Sequence, residues 1–216
     1  MNERRQFEKA VKYEPNLEQL AARISRRVRR SRREILAVLR TINFDKLTQT
    51  EQRRIIREIE WILNELDETF VEEVPKIIDE VYTHGRAKTL VALGLFPSIR
   101  AATKHIRSQK AKTSRAHRQF KSAIVETTME DLLAMTQNTR RRVKAEVRRV
   151  AAEVFRLDEA VTSQRRDMTR RLHDAGIFAI RDAAGRRWSI ENYTDVVIVT
   201  KMTQAHKEAT MQEALE

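Results

Sequence analysis

Apolar residues recur every three or four positions along most of this chain, the spacing that lines them up on one face of an α-helix. Leu17, Leu20, Ile24, Val28, Ser31, Ile35, Val38 or Leu39, and Ile42 trace one narrow seam. Pro15 breaks the chain before it, and Asn16 stands as its N-cap. After a connection at Asn43-Phe44-Asp45, Thr48 followed three residues later by Glu51 forms a capping box that opens the next helix. Its seam is Ile55 or Ile56, Ile59, Ile62 or Leu63, Leu66, Phe70, Val74, Ile77 or Ile78, and Val81. Pro75 lies inside that pattern and lacks a backbone donor, so a kink or restart is expected around Glu73. The two helices fit an antiparallel hairpin.

Further on, His84-Gly85 reads as one break and Gly94-Leu95-Phe96-Pro97-Ser98 as a firmer one. Ser98 then caps a helix through Ala102 and Ile106. A third long helix is expected from about Ser114 to Arg156, with Phe120, Ile124, Leu132, Met135, Val143, Val147, Val150, Val154 and Leu157 as its seam. A shorter one follows, capped near Leu157-Asp158, marked by Val161, Met168, Leu172 and Ile177, and ended by Gly176.

Strand and turn chemistry appears only near the end. Gly185 can take positive φ at the tip of a short hairpin whose arms are Phe178-Ala179-Ile180 and Arg187-Trp188-Ser189-Ile190. Trp188 packs under that hairpin, Tyr193 caps the small core, and a last helix carries Tyr193, Val196, Val197, Thr200, Ala205 and Leu215 on one face. The whole pattern predicts a mainly α fold, an elongated helical bundle or coiled-coil-like set of long helices with one small β-hairpin near the C-terminus. Three consecutive regions are expected: a helical hairpin region over 1–97, a basic helical region over 98–181, and the hairpin with its final helix over 182–216.

Composition sharpens this picture. Four Gly, three Pro and 34% charged residues suit long helices with wet faces better than a fold with many turns. The absence of cysteine excludes disulfides and thiolate chemistry. No apolar run is long enough to span a bilayer, and MNERRQFEKAVKYEP lacks the apolar core of a signal peptide, so a soluble protein made in the cytoplasm is expected.

Net charge is +12 and unevenly placed. Residues 1–40 carry 12 basic and 5 acidic side chains, 41–82 carry 5 and 11, and 83–125 carry 10 and none. Such blocks fit either pairing within the chain or a surface for phosphates. The candidate DNA contacts are Arg26, Arg27, Arg29, Arg30 and Arg33 on the first helix, then Lys104, Arg107, Lys110, Lys112, Arg115, Arg118 and Lys121. Aromatic residues are almost absent among them, which favours backbone contact over base stacking.

Nothing points to a catalytic, cofactor or metal site. His84, His105, His117, His173 and His206 are scattered, without the spacing of a zinc motif. Glycine-rich phosphate loops and nucleophile elbows are missing, and pairs such as Glu72-Glu73 or Asp79-Glu80 face different sides of a helix. The chain reads as non-enzymatic.

The segment Gly185-Arg186-Arg187-Trp188-Ser189-Ile190, with Tyr193, Thr200 and Ala205-His206-Lys207-Glu208, resembles the phage minor capsid protein family, related to Mu-type head morphogenesis proteins. Phe70-Val71-Glu72-Glu73-Val74-Pro75 is similar to a segment of that family's N-terminal region. Val199 stands where the family usually has Arg, and Ala209 where it usually has Gly. The resemblance implies a virion component inside the capsid head, docked on portal or major capsid protein and bathed in packaged double-stranded DNA, with homo-oligomerisation open. Gly185, Arg186, Trp188, Tyr193, Thr200 and His206 are then structural signature residues. Alternatives left open are a DNA-binding structural protein without sequence preference, and the N-terminal delivery module of a toxin-bearing protein.

Overall fold

A computed structural model of the chain describes residues 17–42, 47–109, 113–154, 178–181 and 185–215. Among them are five helices: α1 (Leu17–Arg40), α2 (Gln49–Ala92), α3 (Ile99–Ser108), α4 (Arg115–Val154) and α5 (Ile190–Leu215). Strands β1 (Ala179–Arg181) and β2 (Arg187–Ser189) form an antiparallel pair in which Ile180 faces Trp188. The fold is mainly α with a small hairpin near the C-terminus, as the periodicity predicts. The expected cap at Asn16, the connection at Asn43-Phe44-Asp45 and the short helix from Leu157 to Gly176 lie outside the described residues.

Side-chain oxygens mark the helix starts. Thr48 Oγ1 accepts from the Glu51 amide at 3.2 Å, Ser98 Oγ from Ala101 at 3.2 Å, Ser114 Oγ from His117 at 3.3 Å and Ser189 Oγ from Asn192 at 3.1 Å. Each satisfies an amide that the first turn leaves without a helical partner. Gly94, at φ +75°, ends α2; its amide reaches Val91 O and that of Leu95 reaches Leu90 O.

Helix α2 neither restarts at Pro75 nor breaks at His84-Gly85. The helix continues through Pro75, whose missing donor would have served the carbonyl of Val71. Val71 is 61% exposed, on the side where water can take up that carbonyl, and Lys76 bridges to Glu72 at 2.6 Å and Glu73 at 3.2 Å across the same turn. The helix also continues through His84-Gly85, where glycine answers a packing demand instead of a turn.

Two compact units are built from separated stretches. The unit formed by Ile24–Phe70 and Asp131–Thr194 buries Ile24, Val28, Ile35 and Leu39 of α1, Ile55, Ile59, Leu63, Leu66 and Phe70 of α2, and Leu132, Met135, Val143, Val147 and Val150 of α4. Here α4 runs antiparallel to α2: Arg140 pairs with Asp67 at 2.6 Å, and Lys144 with Glu60. Buried Thr136 and Thr139 complete the α4 seam, their hydroxyls donating to Leu133 O and Met135 O of their own helix. Arg142 holds the hairpin by donating to Ala179 O, and Arg32 lies over the Phe178 ring at 5.5 Å while bonding Glu191 at 2.9 Å.

The other unit comprises Met1–Arg23, Val71–Glu130 and Asp195–Glu216. Within it α2 buries Val74, Ile77, Ile78, Val81 and Tyr82 before Ala87, Leu90 and Val91 meet Ala102 and Ile106 of α3, with Phe96 and Ile99 packed on the same cluster. Along α5 the buried positions are Val197, Ile198, Met202, Ala205, Ala209 and Glu213. The expected face is therefore corrected: Val196 and Thr200 are exposed and Leu215 is 80% exposed, because the seam runs about one position away from the predicted one. A Cβ built on Gly85 would lie 2.7 Å from His206 O and 2.9 Å from Ala209 Cβ, so glycine lets α2 and α5 approach backbone to backbone.

Gly85→Ala is expected to lower unfolding stability by about 1–3 kcal/mol, the usual range for an overpacked core, even though alanine favours the helix intrinsically. Urea denaturation checks this. Unchanged or increased stability would mean that the helices are not held at this distance.

Candidate functional site

The first-helix arginines occupy the side of α1 opposite its seam. Arg26, Arg29, Arg30 and Arg33 follow i, i+3, i+4, i+7 spacing and form one exposed stripe, with Arg27 exposed beside it. Arg30 bonds Glu34 at 2.8 Å, a solvent-exposed pair that water and salt screen. Arg26, Arg27, Arg29 and Arg33 have no ion pair among the described residues.

The second basic group is divided by the fold. Lys104 and Arg107 are exposed on α3, and Arg115 is exposed at the start of α4. Arg118, also exposed, donates to Thr113 O at 2.8 Å. Lys121 is tied to Asp79 at 2.6 Å, so a carboxylate of the acidic block shares its charge. Lys110 and Lys112 lie outside the described residues. Acidic α2 likewise takes Arg23 through Glu73 at 2.8 Å. Pairing with the acidic block takes up Arg23 and Lys121 and leaves the α1 stripe, together with Lys104, Arg107 and Arg115, without an ion pair to it among the described residues.

Signature residues divide between the two units. Gly185, at φ +78°, sits in the hairpin connection. Trp188 is half-buried, with the Arg186 guanidinium 5.6 Å above its ring, so it is a covered edge of the hairpin rather than its enclosed core. Tyr193 is half-buried, and burial, reinforced by the Asp131 carboxylate, pushes its phenol above the usual range. Thr200 is exposed. His206 does not project freely: its Nε2 lies 3.3 Å from His84 Nδ1, with ring centroids 5.5 Å apart.

Sequence reasoning missed a buried polar network in the second unit. Tyr82 Oη and His117 Nδ1 are 2.9 Å apart, His117 Nε2 and Glu213 Oε2 are 3.1 Å apart, and Arg86 donates to the same carboxylate. The imidazole thus stands with one nitrogen toward the Tyr82 hydroxyl and the other toward the Glu213 carboxylate. Burial pushes the Glu213 carboxyl up, but hydrogen bonds from His117 and Arg86 outweigh it and hold the group below its ordinary range. Hydroxyl, imidazole and carboxylate stand in the order of a proton relay. Tyr82 and His117 are, however, only 3% and 1% exposed. The network's chemistry is cohesion: three helices are joined through groups that would be costly to bury singly.

One signal could have exposed the network. His117 stands seven residues before Ile124, on the buried line of α4, whereas Phe120, the expected seam residue, is 39% exposed. Among the described residues, no group of three His, Asp or Glu side chains is arranged to hold a metal ion. No described helix is long and apolar enough to cross a membrane. No protein-family model, curated protein or solved structure matches the chain.

The sign of the Glu213 shift fixes a pH dependence. A carboxyl depressed in the folded state adds stability that is complete above its unfolded pKa, about 4.3, and is lost as pH falls through the folded value. Glu213→Ala, which leaves Arg86 buried without its carboxylate, should cost about 3–5 kcal/mol at neutral pH. The deficit should shrink below pH 4, as urea unfolding at both pH values will read. A deficit that is the same at both would show that the ionised carboxylate is not what matters.

Proposed function

We propose that this chain is a structural, non-enzymatic component of a tailed-phage head, a minor capsid or head-morphogenesis protein. In this reading it docks on portal or inner capsid through its helices and meets packaged duplex DNA through exposed basic side chains. The observation that carries the DNA-facing part is the α1 stripe: Arg26, Arg29 and Arg33 recur on one exposed side without ion pairs among the described residues. Arginine forks suit phosphate oxygens, and a straight row of them follows a backbone without reading bases. The head assignment is supported by the resemblance of the Gly185-to-Glu208 segment, which supplies the second strand of the hairpin and leads directly into α5.

Duplex binding should then be independent of sequence and steeply weakened by salt. Two unrelated duplexes, titrated by fluorescence anisotropy between about 50 and 200 mM salt, should give equal affinities and equal slopes. Replacing Arg26, Arg29 and Arg33 together by alanine should reduce the slope by about 0.9 for each phosphate contact removed. Affinity that stays flat across this range sinks the electrostatic reading. Mass spectrometry of purified particles from the phage encoding the chain tests the other half, since a head component must be found in them.

A further inference from the structure

Helix α3 is fixed to the second unit by one side only. Ala102 and Ile106 are buried against Ala87, Leu90 and Val91 of α2, so the positions on the other side of α3 are oriented by that packing. Arg100, Thr103, Lys104 and Arg107 follow i, i+3, i+4, i+7 spacing and line one wall of a cleft of about 630 Å³. Thr83 and His84 of α2 contribute to its lining.

Three features of this cleft select a ligand. Its cationic side chains outnumber its one carboxylate, Glu80, by three to one. Arg100, Lys104 and Arg107 have no ion pair among the described residues, and residues 83–125 contain no carboxylate that could supply one locally. The three positions cover two helical turns, about 10 Å at 1.5 Å per residue, too long a span for one carboxylate to engage all of them. A chain of linked phosphates presents several anionic oxygens over such a length, and the guanidinium forks and hydroxyls suit those oxygens. The volume lies in the range of small-ligand sites and is far too small for the body of a duplex.

We propose that this cleft binds a phosphate chain, with Arg100, Lys104 and Arg107 as its charge clamp and Thr83 and Thr103 as hydroxyl donors. The phosphates come either from a free nucleotide or polyphosphate, or from a single nucleic-acid strand entering the cleft. The site uses none of the α1 arginines, so it stands or falls separately from the duplex-binding reading.

Isothermal titration of the full chain with inorganic tripolyphosphate, with a nucleoside triphosphate and with a short single-stranded oligonucleotide tests this. Saturable one-to-one binding of at least one probe is expected. Lys104→Glu and Arg107→Glu, each at an exposed position, should weaken it at least tenfold while the circular dichroism spectrum stays unchanged. Alanine at Arg26, Arg29 and Arg33 should leave it intact. Binding of the free phosphate probes identifies a soluble ligand, and binding of the oligonucleotide alone identifies a strand as the source. The proposal is overturned if no probe binds at millimolar concentration, or if the α3 variants bind as the unaltered chain does.

Discussion

Where α2 meets α5, a hydrogen atom at Gly85 occupies the space of a side chain, and the arrangement around it follows from that closeness. His206 O and the Ala209 methyl sit where a Cβ would be, so the two backbones are nearly in contact. Thr89 fits between them because its hydroxyl is within reach of both Gly85 O at 3.2 Å and Thr210 O at 3.3 Å. Arg86 reaches from α2 to α5 and donates to the Glu213 carboxylate, and both side chains are largely covered. Glu213 in turn orients His117, and His117 takes the Tyr82 hydroxyl. One small residue thus permits a helix contact, and the contact brings together polar groups that must satisfy one another.

Electrostatics divides the basic residues into two populations. Carboxylates spaced along α2 hold Arg23 and Lys121 in one unit and Arg140 and Lys144 in the other. These cations are partly covered and tie helices to one another. Arg26, Arg27, Arg29 and Arg33 of α1 and Arg100, Lys104 and Arg107 of α3 have no such carboxylates among the described residues, and their charge acts outward. Net charge alone would have counted both populations as available to a polyanion.

Helices and their seams were readable because a 3.6-residue period survives any tertiary context that buries one face. Ile55, Ile59, Leu66, Phe70, Val74 and Val81 are all buried as their spacing requires. The caps at Thr48 and Ser98 and the positive φ at Gly185 were equally local facts. What local sequence could not convey was purpose at ambiguous residues. Glycine at 85 signals a turn and a close approach with the same letter, and proline at 75 lies within a helix that continues through it, with the residue four positions earlier exposed. The buried network draws on residues up to 131 positions apart, Tyr82 and Glu213 at its ends, so no spacing rule reaches it. The candidate interface was half legible: the α1 stripe follows from periodicity, but the engagement of Lys121 by Asp79 depends on which helices meet.

The threonines of α4 have a further consequence. Thr136 and Thr139 are buried, yet each hydroxyl is satisfied by a carbonyl of the same helix, so neither asks anything of the neighbouring helix. A core polar group that bonds across an interface fixes how far one helix can slide along another; these do not. In their unit, the lengthwise alignment of α4 on α2 is left to side-chain shape, to the Asp67–Arg140 and Glu60–Lys144 pairs and to the bond that Arg140 donates to Asn64 Oδ1 at 2.8 Å. Dissolved ions weaken the more exposed Glu60–Lys144 pair more than the mostly covered Asp67–Arg140 pair, and leave apolar burial in place. Salt therefore acts on the vernier between these helices before it acts on their association.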